Sequence, residues 1–234
     1  MGQESEMTLF RWALWTLLFY GKISLTKRML KNPYSGKFIV FEGLDGSGQS
    51  TQTQLLGDFL IKNGHNVVLT KEPTKDSEAA KKIRHILEKK DSGVDPLHLQ
   101  ELFAQDRGEH LEKLITPALK RGRTVISDRY FFSSFAYGAA SGIDLEKLIE
   151  LNRGFLLPDL AIILKVRPEV CMARIGKRGE PRTLFEEKEK LAKVWQIYEV
   201  LPKRFNNAYI INGEKPIEDV FEDVKNLVRS KLNL

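Results

Sequence analysis

One run of nine residues, Gly43-Leu44-Asp45-Gly46-Ser47-Gly48-Gln49-Ser50-Thr51, restricts the fold more than any other feature of the chain. It follows G-x-x-x-x-G-K-[ST] at every fixed position but one, where glutamine stands for lysine. Ahead of it, Phe38-Ile39-Val40-Phe41 reads as a buried strand. Behind it, Leu55, Leu56, Phe59 and Leu60 share a helix that Gly64 ends. Glycines let a backbone curl its N–H groups around phosphate oxygens, and the start of the following helix favours anions. The spacing and its flanks therefore predict a cradle for the phosphates of a nucleoside triphosphate; a tight strand-to-helix turn with no ligand is the alternative. Gln49 can donate a hydrogen bond there but brings no charge. Losing one preorganised electrostatic contact costs on the order of a hundred- to a thousandfold in rate. Arg129 and the basic group Arg174, Lys177, Arg178 and Arg182 are the candidates to offset it.

From Lys37 onward, short β-rich runs alternate with longer helical patterns, as in a parallel sheet covered on both faces by helices. Strands are expected at 38–41, 67–69, 124–127, 160–164 and 209–211. Helices are expected near 78–88, 97–120, 130–153 with a break at Gly142, 168–176, 184–205 and 216–231. The fold class is α/β, with one main domain over 37–234, since 234 residues at 42% hydrophobic content are short for two full domains. The 37 basic and 31 acidic residues leave +6, which suits an anionic small molecule and is too dispersed to call for nucleic acid. A single cysteine, Cys171, excludes an internal disulfide and fits the cytoplasm. Residues 1–36 stand apart. Their apolar run at 12–20 is too short to span a bilayer, so stable membrane insertion is not expected, and Glu4 and Glu6 argue against a secretory or transit signal. An appended helix, a surface-bound amphipathic segment and extra residues ahead of a start near Met29 all remain open.

Two further segments carry charge where an open α/β sheet binds ligands. The strand at 124–127 delivers Asp128 and Arg129 at its C-terminal end, where Asp128 could hold Mg²⁺, together with Ser50, and Arg129 could bridge a transferring phosphoryl group. A surface ion pair after a strand is the plainer reading. On the 97–120 helix the apolar stripe is interrupted by Arg107, which shares a face with Phe103 and Leu111. A covered guanidinium needs an anionic partner. A substrate phosphate and a neighbouring carboxylate, Asp106 or Glu72, are both open.

Taken in order, Phe-Glu-Gly-Leu-Asp-Gly-Ser-Gly (41–48), Lys-Glu-Pro (71–73), Ile-Arg (83–84), Leu-Phe-Ala-Gln-Asp-Arg (102–107), Asp-Arg-Tyr (128–130), Ser-Ser-Phe-Ala-Tyr (133–137) and Pro-Asp-Leu (158–160) closely resemble the thymidylate kinases. The resemblance implies a P-loop nucleoside-monophosphate kinase fold with a short mobile lid at about 174–186. It also implies transfer from ATP to dTMP with Mg²⁺ in dTTP synthesis, and a homodimer. By position, residues 43–51 would bind ATP and Asp45 would hold the deoxyribose 3′-hydroxyl. Arg107 and Arg129 would grip the acceptor phosphate, with Arg84 near it and Glu72 in the turn beside it. Phe103 would stack on the base, Ser134 would reach the base edge, and Tyr137 would crowd the 2′ position. Because Gly46 follows Asp45, the chain resembles the subgroup whose catalytic arginine lies in the lid, here Arg178 or Arg182.

Three departures stand out against that pattern. Lys71 stands where many relatives carry arginine, Gly138 where many bacterial relatives place a base-contacting glutamine, and Gln49 at the loop lysine. Gly138 keeps open a different pyrimidine monophosphate as acceptor. Gln49 keeps open a nucleotide-binding protein with impaired catalysis, in which Gln49→Lys would raise activity.

Overall fold

The computed structural model describes residues 29–89, 93–176 and 184–234, with backbone alone for 89 and 184–187. In chain order the elements are β1 (Leu30–Lys31), β2 (Phe38–Gly43), α1 (Gln49–Lys62), β3 (Val67–Lys71), α2 (Glu78–Lys89), α3 (Pro96–His110), a π-helical turn (Leu111–Ile115) and α4 (Thr116–Lys120). There follow β4 (Thr124–Asp128), α5 (Phe131–Ala140), α6 (Leu145–Asn152), β5 (Leu156–Leu157), β6 (Leu160–Lys165), α7 (Pro168–Gly176), α8 (Leu184–Arg204), β7 (Ala208–Asn212) and α9 (Ile217–Leu232). Arg178, Arg182 and most of the expected lid at 174–186 lie outside the described residues, as does the apolar run at 12–20. Among the described residues no helix is long and apolar enough to cross a membrane.

Each of the five expected strands lies within an observed one, and together they form one parallel sheet in the order β3-β4-β2-β6-β7. A strand's side chains alternate between faces, so a strand buried on both must be apolar throughout. Phe38, Val40, Ala161 and Ile163 enter a core shared with Ile115 and Leu119, Phe132 and Phe135 of α5, and Val194 and Tyr198 of α8. Their neighbours Ile39, Phe41 and Ile162 enter a second core with Leu56 and Leu60 of α1 and Val220, Val224 and Val228 of α9. This two-sided cover fixes which way each strand residue points, including the polar ones at the strand ends.

Two expected helices are subdivided. The 97–120 helix keeps its course but loosens into the π turn at 111–115, where the Thr116 N–H reaches back to the Leu111 carbonyl, one residue farther than in an α-helix. Pro117 follows and has no N–H of its own to give, which makes this the least costly place for the register to slip. The 130–153 helix divides at 141–144, with Gly142 at φ +92° and the Asp144 carboxylate capping the Lys147 N–H.

The packed unit reaches back ahead of Lys37. β1 pairs in parallel with β5, Leu30 opposite Leu156, a pairing that two residues of unremarkable sequence do not announce. Asn32 Nδ2 and the Phe38 N–H both donate to Asp159 Oδ2, each at 2.7 Å. Between them Gly36 donates to the Leu119 carbonyl at 3.1 Å. A Cβ at Gly36 would collide with the Arg123 carbonyl and sit 2.8 Å from Leu119 backbone atoms. Gly36→Ala is therefore expected to lower stability by about 2 kcal/mol, read as an earlier urea midpoint with unchanged slope.

Candidate functional site

The glycine loop between β2 and α1 has the shape its composition predicts. Gly43, Gly46 and Gly48 take φ of +146°, +83° and +99°. A Cβ on Gly46 would lie 2.6 Å from the Cys171 carbonyl, so α7 packs against the loop only because no side chain stands between them. Gly48 caps α1 in the left-handed conformation with no side-chain hydrogen bond to the helix. The first-turn N–H groups of α1 therefore have no side-chain cap, the arrangement that favours an anion.

Sheet order brings β4 alongside β2, and the register sets Asp128 opposite both Phe41 and Lys71. Ser50 Oγ donates to Asp128 Oδ2 at 2.5 Å, and Lys71 Nζ lies 2.9 Å from the same oxygen. Arg129 follows with φ +76°, unusual for a residue with a Cβ. That turn directs its guanidinium back to the loop. Nη1 donates to the Gly43 carbonyl at 3.1 Å and to Ser133 Oγ at 2.8 Å, while Nη2 donates to Asp45 Oδ1 at 2.8 Å and Gln49 Oε1 at 3.1 Å. The Tyr137 ring lies 5.5 Å from the guanidinium, and its hydroxyl donates to Asp45 Oδ2 at 3.2 Å. Burial and then the Asp45 carboxylate raise the Tyr137 phenol well above its ordinary value, so it acts as a neutral donor. The structure thus gathers Asp45, Gln49, Arg129 and Tyr137 into one cluster and joins Ser50 to Asp128 beside it. Arg174 of α7 approaches from another side, donating to the Ser47 carbonyl at 3.3 Å and the Gly213 carbonyl at 3.1 Å.

Behind the loop lies a carboxylate not singled out from the sequence. Glu42, wholly buried at the end of β2, accepts from the Tyr130 N–H at 2.9 Å, Ser133 Oγ at 2.5 Å and Tyr198 Oη at 3.1 Å. Ser133 thereby links Glu42 to Arg129. Burial pushes the Glu42 carboxyl up to about 7 against the opposing hydrogen bond of Ser133, the charge of Arg129 and the hydrogen bonds of Tyr130 and Tyr198. The signal was present: a carboxylate ending an apolar strand that is covered on both faces has nowhere exposed to go.

Arg107 forms a separate cluster. Its guanidinium meets Glu72, one of the two carboxylates the sequence offered: Arg107 Nε donates to Glu72 Oε2 at 2.9 Å, and Arg107 is only 1% exposed. Its Nη1 donates to Asn152 Oδ1 at 2.5 Å and Nη2 to Ser134 Oγ at 3.3 Å. His110 lies 3.1 Å from the other Glu72 oxygen. Arg107 and Arg129, expected together at one phosphate, thus have no partner in common among these contacts. Asp106 instead holds the turn after β3, accepting from the Thr74 N–H and from Ser77 Oγ at 2.8 and 2.6 Å. Arg84 braces the same turn through the Thr74 and Lys75 carbonyls at 2.6 and 2.5 Å. Phe103 is partly exposed and packs beside Ile83 and Leu102. A Cβ at Gly138 would meet Leu148 methyls at 2.8 and 2.9 Å, so Leu148 occupies the room a side chain would need.

The family model described as thymidylate kinase matches residues 41–224. A probable thymidylate kinase of Thermococcus onnurineus is 44% identical over 202 residues, covering 83% of this chain and 98% of that protein. One from Pyrococcus horikoshii is 43% identical over 202 residues, covering 84% and 98%. A thymidylate kinase of Caldicellulosiruptor saccharolyticus is 38% identical over 198 residues, covering 82% and 96%.

The Glu42 carboxyl supplies a pH test. Its folded value near 7 exceeds its ordinary 4.5, so the native state holds more protons than the unfolded chain between those values. Its contribution to stability is greatest below 4.5, is lost as pH rises through 7, and is flat above that. Glu42→Gln cannot ionise, so its stability relative to wild type should rise across that window by on the order of 3 kcal/mol. Denaturant unfolding of both proteins at pH 5 and pH 8 reads the difference.

Proposed function

The chain belongs to the thymidylate kinase family, and we propose on that footing that it transfers the γ-phosphoryl group of ATP to dTMP, giving ADP and dTDP. The observation that carries the proposal is the Arg129 guanidinium held between the glycine loop, Asp45 and Ser133. It sets a fixed positive charge at the loop where the transferring group would pass, beside a carboxylate suited to a sugar hydroxyl. Such transfer asks for positioning and charge neutralisation more than for covalent chemistry.

In this reading residues 43–51 hold the triphosphate, with the N–H groups of the loop and of the α1 start on its oxygens. Asp45 takes the 3′-hydroxyl and Tyr137 crowds the 2′ position. Phe103 would stack its partly exposed ring on the base, and Arg84, which braces the turn after β3, would assist near the monophosphate. Arg107, held by Glu72 and Asn152 beside Ser134, would grip the acceptor phosphate together with Arg129. The Ser50 hydroxyl and Asp128 carboxylate, 2.5 Å apart at the loop, are the oxygen donors that a Mg²⁺ with phosphate and water ligands requires. Bound there, Mg²⁺ would neutralise charge on the donor phosphates. Further arginine charge would come from Arg178 or Arg182, as the resemblance to the lid-arginine subgroup implies. A cytoplasmic homodimer completes the reading, and sedimentation tests the dimer.

Leu148 leaves no room for a base-contacting side chain at Gly138, which motivates a second acceptor reading: another pyrimidine monophosphate. An ADP-release assay with ATP, Mg²⁺ and dTMP, dUMP, dCMP or UMP separates the two. The expected result is the highest kcat/KM with dTMP; turnover of none of the four would end the proposal. Arg129→Ala should lower kcat by roughly a hundred- to a thousandfold. Phe103→Ala should act mainly on the KM for dTMP.

A further inference from the structure

Gln49 is committed inside the protein at both ends of its amide. The residue is 5% exposed; its Nε2 donates to the Gly43 carbonyl at 3.2 Å, and its Oε1 accepts from Arg129 Nη2 at 3.1 Å. Arg129 Nη1 donates to that same Gly43 carbonyl at 3.1 Å. These three contacts close a ring across the mouth of the loop, from its first glycine to the first residue of α1. We propose that Gln49 is a positioning residue that holds the Arg129 guanidinium in the phosphate loop, so that residue 129 supplies the charge the loop motif draws from a lysine at 49. The inference rests on the reading of this loop as a triphosphate site and deepens it.

Hydrogen-bond inventory explains why glutamine suits this position. A side-chain amide offers both a donor, which the Gly43 carbonyl needs, and an acceptor, which a guanidinium needs. An ammonium offers donors alone, so a lysine at 49 could not receive Arg129 and would set a second cation beside it. The backbone supports the same assignment. Arg129 has φ +76°, a conformation that costs a residue with a Cβ and persists where its surroundings enforce it. Here the Arg129 N–H donates to the Phe41 carbonyl at 2.9 Å, and Ser127 Oγ donates to the Arg129 carbonyl at 2.7 Å. The Arg129 side chain as a whole keeps 14% of its surface exposed. It can therefore meet a ligand in the loop while its back remains tethered.

The test is a mutant cycle in the full chain, read by calorimetric binding of ATP with Mg²⁺ and by kcat with dTMP. Gln49→Ala and Gln49→Met should each weaken ATP binding or lower kcat by about tenfold, the scale of one hydrogen bond to a charged group. Gln49→Met keeps the side-chain length, and melting curves report whether each variant is folded. In an Arg129→Ala background the same changes at 49 should have no further effect. Gln49→Lys should give no gain in wild type, yet recover about tenfold in Arg129→Ala, where the repelling cation is gone. A rise in affinity or kcat from Gln49→Lys alone would overturn the proposal. So would an undiminished effect of Gln49→Met in Arg129→Ala, which a merely structural role for Gln49 would produce. Should wild type bind ATP but transfer nothing to dTMP, the kinase reading falls while the binding cycle still decides the role of Gln49.

Discussion

The site depends on one ladder hydrogen bond, from the Arg129 N–H to the Phe41 carbonyl at 2.9 Å. It is the last link between β4 and β2, and it fixes how far β4 projects past the sheet edge. Asp128 then lies level with Ser50, and Arg129 falls where a left-handed turn can bring its guanidinium back to Gly43. A parallel slip of two residues would keep the same faces buried yet move both groups about 7 Å along the strand, out of reach of the loop. Packing on both sheet faces opposes the shorter, one-residue slip, because Val125 and Ile126 belong to opposite cores, and it leaves the two-residue slip to be opposed by this ladder.

Around this frame the protein keeps charged groups in places where burial disfavours them. Glu42 and the Arg107–Glu72 pair lie within a few per cent of complete burial, each surrounded by several hydrogen-bond partners. Removing one member of such a network leaves an uncompensated charge, whereas the intact network permits few alternative arrangements. Both networks end at residues of the site. Glu42 reaches Arg129 through Ser133, and Glu72 steadies Arg107 beside Ser134. Rigidity at the floor thus passes to side chains that a small ligand would have to meet in fixed positions.

The fold was legible because its signals are local and repeated: five apolar runs of strand length, each between turn residues, alternating with helical stripes. The loop was legible for a similar reason, since its glycines and Ser50 lie within one short spacing. Asp128 and Arg129 followed from the rule that strand ends carry ligands. Partner choice was not legible. Asp106 and Glu72 both stood as carboxylates for Arg107, and the helix decided between them, since adjacent residues point about 100° apart. Asp106 consequently faces Thr74 and Ser77. Ser133 and Tyr198, 65 positions apart, meet only because α5 and α8 pack together over the sheet. No short-range pattern carries that contact. The two-residue pairing of β1 with β5 gave no periodic signal at all.

That small pairing bears on how the protein can be handled. The Asp159 carboxylate receives one donor from Asn32 and another from the first residue of β2. It serves as a clasp between the chain's entry to the sheet and its return at β6. A shortened form cut at Lys37, the place where the motif-bearing sequence begins, would sever the clasp and strip β5 of its only strand partner among the described residues. A form cut at Met29 would keep both, so the folded unit extends at least eight residues upstream of the motif-bearing sequence.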